Sequence, residues 1–274
     1  MKARPACPDP ARVPAVDRPA RAARHGGMTA PLRLGMLTPS SNTVLEPLTA
    51  AMLAEAPGGK PPGITAHFAR FRVVAIDLGE GSRAQFDTAP VLAAAELLAD
   101  AKVHAICWNG TSGSWLGLAQ DRALCAAITA RTGIPATTAT LALMRAVRAL
   151  GARRIGLVTP YLAAVQRAIA ARWAEEGLEV VAERHLEDPG NYSFAGHDEA
   201  VVARLVREVA AEGPEAIAIH CTNFRGGRVA PGLEAELDLP VLDSVAVSLW
   251  GAIGAAGGDA TPLRRHGRVF ALPW

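Results

Sequence analysis

Four short polar segments carry the residue types that could do chemistry on an anion. They span residues 39–43, 110–112, 159–161 and 221–223. Hydroxyl and amide groups donate hydrogen bonds to anionic oxygens, and a thiol can deliver or accept a proton. These segments therefore predict a binding and catalytic site, with Cys221 as the catalytic residue. The predicted binding residues are Ser40, Asn42, Gly110, Thr111, Ser112, Tyr161, Thr222 and Asn223.

Cys221 is the thiol that we expect to act in this site, because it follows an apolar run and precedes a polar turn. Cys107 and Cys125 fall within a predicted strand and a predicted helix, where thiols usually pack as small apolar groups. The four cysteines have no CxxC spacing, and the seven histidines form no HxxxH or HExxH pattern. We therefore predict no metal site and a reducing compartment, the cytoplasm.

Short apolar runs alternate with stretches of helical period, which indicates a parallel sheet covered by helices. The predicted strands are 32–37, 64–71, 103–108, 136–138, 155–159, 179–183, 216–220 and 240–243. The clear helices are 84–102, 117–131, 140–150, 162–177 and 197–212, several of which end at a glycine. Each polar segment therefore lies at or beyond the carboxyl end of a strand.

An internal repeat relates the two halves of the chain. RLGMLTPS at 33–40 matches RIGLVTPY at 154–161, and VHAICWNGTS at 103–112 matches EAIAIHCTNF at 215–224. A third pair, 133–143 with 238–248, follows in the same order. The repeat predicts an α/β protein of two pseudo-symmetric Rossmann-like lobes, each a short parallel sheet flanked by helices, with the active site in the cleft between them.

The predicted lobe boundaries follow from this repeat. Residues 28–139 with 245–274 form the first lobe, and residues 140–244 form the second. Residues 1–27 are rich in Ala, Arg and Pro, and we interpret them as a disordered tail.

Charge and hydropathy exclude several classes of function. Six basic and two acidic residues lie in the first 27, so the rest of the chain carries about −2 of the total charge of +2. A slightly acidic body argues against a nucleic-acid partner. No apolar run reaches the roughly 18 to 20 residues of a membrane span. The GxGxxA at 79–84 does not follow the first strand, which argues against a dinucleotide site.

The repeat places Gly110 opposite Cys221. If the strand at 106–109 is laid on that at 218–220, Gly110 occupies the position that Cys221 holds in the other half. A glycine has no side chain to exchange a proton, so one face of a bound molecule meets a thiol and the other face does not.

These residues resemble the aspartate/glutamate racemase superfamily, and specifically its branch of maleate cis-trans isomerases and arylmalonate decarboxylases. The resemblance covers residues 31–272. TPSSNT at 38–43 is similar to the isomerases, whereas GTSGSW at 110–115 and the single Cys221 are more similar to the decarboxylases. The resemblance implies that no cofactor is needed, and that a racemase of this superfamily would use two cysteines.

The one-thiol arrangement favours a decarboxylase of an aryl- or alkyl-substituted malonate, in which Cys221 protonates an enediolate. Trp115, Leu45 or Leu162 would supply an apolar wall for the leaving carboxylate. A maleate isomerase or a racemase-like isomerase is the first alternative, and a non-catalytic protein that binds small acids is the second. The expected partner is a small carboxylic acid; a homo-oligomer is left open.

Overall fold

Two four-stranded parallel sheets form the frame of the protein. The computed structural model describes residues 31–55, 63–73 and 88–274. The predicted tail at 1–27 and the GxGxxA at 79–84 lie outside these ranges. The two-lobed α/β fold that the repeat predicts is confirmed by the sheets and by their similarity to solved structures reported below.

The strands of the two sheets follow one plan. The first sheet has the order β2-β1-β3-β4 and the second has the order β6-β5-β7-β8, and every pair is parallel. All eight predicted strands exist, with ends that differ by a few residues at most. Their bounds are β1 Leu32–Pro39, β2 Ile64–Phe71, β3 Ala105–Trp108, β4 Ala136–Thr138, β5 Arg154–Val158, β6 Glu179–Arg184, β7 Ala216–Ile219 and β8 Val241–Asp243.

The helices cover the sheets and supply the apolar faces of the core. Their bounds are α1 Leu45–Ala54, α2 Thr88–Asp100, α3 Gly113–Leu116, α4 Leu118–Thr132, α5 Ala139–Leu150, α6 Ala163–Glu175, α7 Glu199–Ala210, α8 Ala230–Leu237 and α9 Ser244–Ala255. Gly133 and Gly151 end α4 and α5 with φ of 72° and 70°, a backbone region that glycine enters without strain.

Helices α1, α3, α8 and α9 are not among those predicted from the sequence. Helix α9 is the clearest case, because residues 244–254 are all buried and show no amphipathic period. A helix buried on every side has no polar stripe to reveal its period. It packs against β3, β4 and α5. The lobe boundaries themselves remain a prediction.

Asp243 begins α9 and is fully buried. Its Oδ1 accepts hydrogen bonds from the backbone N–H groups of Val245 and Ala246, at 2.9 and 3.1 Å. Its Oδ2 is buried and has no partner among the described residues. Burial raises the pKa of the Asp243 carboxyl to about 7, although the two N–H donors act in the opposite direction.

Because this carboxyl binds its proton more tightly when folded, its contribution to stability is lost as the pH rises from about 4 through 7. Asp243→Asn keeps the capping oxygen and removes the charge. We compare the free energy of unfolding of the variant with that of the native protein. This difference should favour the variant by about 1–3 kcal/mol more at pH 8 than at pH 5. Urea unfolding at the two pH values measures the difference. Asp259→Asn is the control, since Asp259 also accepts a backbone hydrogen bond but is exposed. An equal effect of Asp243→Asn at both pH values would contradict the prediction.

Candidate active site

A small cavity, here called the thiol cavity, lies where the carboxyl ends of the two sheets meet. Six of the nine predicted site residues line it: Gly110, Thr111, Ser112, Tyr161, Cys221 and Thr222. Its other lining residues are Pro39, Val73, Trp108, Trp115 and Asn191. Both halves of the repeat therefore contribute to one cavity. Of the three suggested apolar wall residues, Trp115 is among the lining residues, and Leu45 and Leu162 are not.

The thiol of Cys221 is buried and hydrogen-bonded. Cys221 lies two residues beyond the end of β7, and its side chain is 3% exposed. The Tyr161 hydroxyl and the backbone N–H of Asn223 are hydrogen-bonded to its sulfur. Burial nevertheless dominates, and it raises the pKa of the Cys221 thiol to about 12. The group is therefore a neutral thiol at pH 7, able to give a proton but poorly able to attack as a thiolate.

Tyr161 joins the two halves of the cavity. Its hydroxyl is 2.6 Å from Oγ1 of Thr111 in the first half and is also hydrogen-bonded to Cys221 in the second. Its ring lies between Trp115 and Phe194, with centroid distances of 5.5 and 5.4 Å. Burial raises the pKa of Tyr161 well above its usual value. The hydroxyl is therefore a neutral hydrogen-bond donor held in a fixed place.

The sheet register equates Gly110 with Cys221 independently of the sequence match. In the first sheet Leu37 pairs with Trp108, and in the second Val158 pairs with Ile219. The next residues, Asn109 and His220, donate backbone hydrogen bonds to Leu37 and Val158 respectively. Gly110 and Cys221 then follow at the same position in the two lobes, as the repeat alignment predicts.

Cys107 does not supply a second thiol to the cavity. It is fully buried within β3, opposite Met36 in the register. It faces Ser248 of α9, and burial raises the pKa of its thiol strongly. Of the cysteines in the described ranges, Cys221 alone lines the thiol cavity.

The two asparagines predicted to bind substrate form a clamp between the halves instead of lining the cavity. Oδ1 of Asn223 accepts hydrogen bonds from the backbone N–H groups of Thr43 and Val44, at 2.9 and 3.2 Å. Nδ2 of Asn42 donates to Oγ1 of Thr222 at 3.1 Å, and its Oδ1 accepts from the N–H groups of Val44 and Leu45 that open α1. We call these contacts the asparagine clamp.

Ser40 also lies outside the cavity lining. Its Oγ accepts a hydrogen bond from the Val73 N–H at 3.2 Å and donates one to the Val73 carbonyl oxygen at 3.3 Å. Ser40 therefore holds Val73, which lines the cavity, in place. Asn191, which the sequence analysis did not select, lines the cavity and donates to Oγ of Ser41 at 2.8 Å. The side chain of Asn223 in turn donates to the carbonyl oxygen of Asn191. No repeat or motif marked Asn191, because it lies in a loop outside the matched segments.

A buried histidine stands directly before the thiol. Nε2 of His220 is 2.7 Å from Oγ of Ser114 in the other half, and Nε1 of Trp173 donates to the same oxygen at 3.2 Å. Burial lowers the pKa of His220 to about 3, so the ring is neutral. This contact joins the short helix α3 to the end of β7.

The described ranges show no group of three or more His, Cys, Asp or Glu residues placed to hold a metal ion. Within the same ranges, no helix is both long and apolar enough to cross a membrane.

Two parallel-sheet lobes that bring one thiol to their junction define an enzyme of the lyase and isomerase class within this superfamily. The comparisons support this class and specify it further. The chain belongs to the family described as arylmalonate decarboxylase, whose sequence profile matches residues 52–270.

Two kinds of relative are similar to this chain, an arylmalonate decarboxylase and a maleate isomerase. Arylmalonate decarboxylase from Bordetella bronchiseptica is 36% identical over 164 residues, which is 59% of this chain and 68% of the relative. Maleate isomerase from Pseudomonas putida is 28% identical over 235 residues, or 83% of this chain and 93% of the relative. The crystal structure of the maleate isomerase Iso from Pseudomonas putida S16 has the same fold, with a TM-score of 0.79 at 24% identity over 87% of this chain and 98% of that chain.

Removal of the asparagine clamp should loosen the loop that follows β1. In Asn223→Ala, the N–H group of Thr43 loses its acceptor, whereas that of Val44 keeps Oδ1 of Asn42, and we expect a loss of about 1–3 kcal/mol of stability. Hydrogen exchange should accelerate most at the Thr43 amide, as mass spectrometry of a peptide covering 41–46 can measure. The amides of Val245 and Ala246, held by Asp243, are the internal control and should change only in proportion to global stability. Unchanged exchange at 43–44 would count against the clamp.

Proposed function

We propose that this protein is a cofactor-independent decarboxylase of substituted malonates in which Cys221 is the proton donor. The observation that supports this most directly is the asymmetry of the junction: a neutral thiol stands on one side, and Gly110 occupies the equivalent position on the other. Decarboxylation needs one proton delivered to one face, which this arrangement can supply.

The reaction breaks the bond between the α-carbon and the departing carboxylate. The electron pair of that bond remains with the α-carbon and spreads into the retained carboxyl group as an enediolate, while carbon dioxide leaves. The Cys221 S–H then gives its proton to the α-carbon, and the resulting thiolate recovers a proton from water. Atoms and charge balance without an oxidant or a cofactor.

Neutral hydrogen-bond donors would stabilise the enediolate. The hydroxyls of Thr111, Ser112 and Tyr161 line the cavity with Cys221, and each well-placed donor typically contributes about 3 kcal/mol to such a state. Trp115, Pro39 and Val73 supply apolar surface beside them. We assign this surface to the departing carboxylate, whose charge is poorly solvated there until it leaves as carbon dioxide. Ser40, Asn42, Thr222 and Asn223 would support binding by holding the walls of the cavity.

Three observations weigh against the alternative functions: the glycine at position 110, the high pKa of the Cys221 thiol, and the family to which the chain belongs. A racemase that works on both faces needs a second acid or base, and Gly110 offers none. An isomerase that adds a thiolate to an alkene needs an ionised sulfur, which burial disfavours here. A protein that only binds acids is disfavoured by the family, whose curated relatives are enzymes.

Maleate isomerisation is the second candidate. Two observations favour it: the isomerase-like segment TPSSNT at 38–43 and the similarity of fold to the solved isomerase. In that reaction the Cys221 thiol would first lose its proton to water, and the thiolate would add to one alkene carbon while the π electron pair passes into the neighbouring carboxylate as an enediolate. Rotation about the resulting single bond would follow, and return of that pair to the double bond would expel the thiolate, which regains its proton, and give fumarate.

One experiment separates these reactions. The protein is incubated in deuterated water with methylphenylmalonate and dimethylmalonate, with maleate, and with each enantiomer of aspartate and glutamate, and NMR follows the products. We expect carbon dioxide release from at least one malonate, and deuterium on one face of the product of methylphenylmalonate. Fumarate from maleate, with no malonate turnover, would replace this proposal with the second candidate.

Cys221→Ala should lower malonate turnover by about 10²–10⁴-fold, because the proton donor is lost. The matched control is Cys125→Ala, which removes a thiol from α4 that does not line the cavity. Full activity of a folded Cys221→Ala enzyme would exclude the thiol from the mechanism.

Tyr161→Phe tests the hydrogen bond that crosses the junction. The ring still fits between Trp115 and Phe194, but Thr111 and Cys221 lose their shared partner, and we expect kcat to fall by about 10²–10³-fold. The sequence has only one other tyrosine, Tyr192, which is 70% exposed. Tyr192→Phe is therefore the matched control, and steady-state kinetics of both variants should differ. Equal activity of the two would remove Tyr161 from the reaction.

A further inference from the structure

Trp108 separates the thiol cavity from a second cavity. The second, here called the side cavity, is lined by Thr88, Val91, Trp108, Ser112, Gln120, Asp121 and Leu124. Trp108 and Ser112 line both spaces. The two cavities measure about 20 and 30 Å³, and the thiol cavity is thus close to the room that a single water-sized sphere needs. The indole of Trp108 is therefore a wall between two small spaces that adjoin it.

The position of the indole depends on Gly110. Trp108 is the last residue of β3 and is 2% exposed, and its ring packs against Phe71 with a centroid distance of 4.8 Å. A Cβ added to Gly110 would overlap the six-membered ring of Trp108. The indole thus lies against the backbone of Gly110, on the side of the junction equivalent to Cys221. In the second half, the residue equivalent to Trp108 is Ile219.

We propose that Trp108 determines the size of the substituent that the α-carbon can carry. This inference rests on the proposed function and deepens it. The space beside Gly110 is filled by an indole, so an acid bound at Thr111 and Ser112 can extend only a small group in that direction. Beyond the indole, Val91 and Leu124 present apolar side chains. A flat aryl group is the substituent that would occupy the joined cavities once the indole is shortened.

The test compares Trp108→Phe, Trp108→Leu and Trp108→Ala with the native enzyme. For turnover, the substrates are methylphenylmalonate and dimethylmalonate, which differ only in phenyl against methyl. We expect the ratio of kcat/KM for the phenyl substrate over the methyl substrate to rise progressively along the series. A change of at least about tenfold at Leu or Ala is the size expected when a pocket gains room for an apolar group.

The same comparison is made by binding, so that it does not depend on catalysis. Calorimetric titration with phenylacetate and propionate gives the ratio of their affinities for each variant, and this ratio should shift in the same direction. If the native enzyme releases no carbon dioxide but the affinity ratio shifts, the proposed reaction fails and the role of Trp108 stands. An unchanged ratio in a folded variant overturns that role, whether or not the malonates react.

Removal of a large buried side chain also destabilises the fold, so the series includes variants of graded size. Trp108→Phe keeps an aromatic ring against Phe71 and should remain folded where Trp108→Ala does not. Trp250→Leu is the matched control, since Trp250 is 1% exposed and lines neither cavity. It should lower the melting temperature without changing either ratio. A ratio that shifts equally in Trp250→Leu would also overturn the proposal.

Discussion

The burial of one thiol at the junction of two lobes is the constraint on which the site depends. Charging Cys221 would place an anion among apolar walls, and its hydrogen bonds from Tyr161 and Asn223 compensate for only part of that cost. The sulfur is therefore held as an acid. Every other feature of the cavity is consistent with this state: the hydroxyl donors are neutral, and the opposite position carries no side chain.

The repeat explains why the strand ends of both sheets meet at this site. The departures from the repeat explain why the two sides of the site carry different side chains. Both sheets have the same strand order and the same register, so the strand ends meet in equivalent positions. The residues at those positions differ in kind. Cys221 occupies the position equivalent to that of Gly110, and the smaller Ile219 occupies the position equivalent to that of Trp108. A symmetric backbone with asymmetric side chains gives a bound molecule two different faces.

Much of this architecture could be predicted from the sequence because its signals are local. Apolar runs of three to eight residues indicated the strands, and three ordered matches indicated the repeat, whose equivalent positions the sheet register reproduces. The position of Gly110 relative to Cys221 followed from the same alignment. Helix α9 was missed because burial on all sides removes the polar stripe on which a helical prediction depends.

The sequence alone does not show which predicted site residues line the cavity and which hold its walls in place. Asn42 and Asn223 have the side chains that bind acids, but their hydrogen-bonding groups are engaged across the lobes over separations of about 180 residues. A single sequence does not show which partner an amide takes when that partner is so distant. Trp108 was likewise assigned to a strand, and its role as a cavity wall depends on the close approach of Gly110.

His220, the residue before Cys221, joins the two halves of the site without a charge. Its ring is buried, burial lowers its pKa to about 3, and Oγ of Ser114 lies 2.7 Å from Nε2. This contact fixes α3, which follows the Thr111 and Ser112 hydroxyls, against the end of β7, which carries Cys221. The hydroxyls that we propose to stabilise the enediolate and the thiol that we propose to protonate it are thereby held in one frame by a contact between neutral groups.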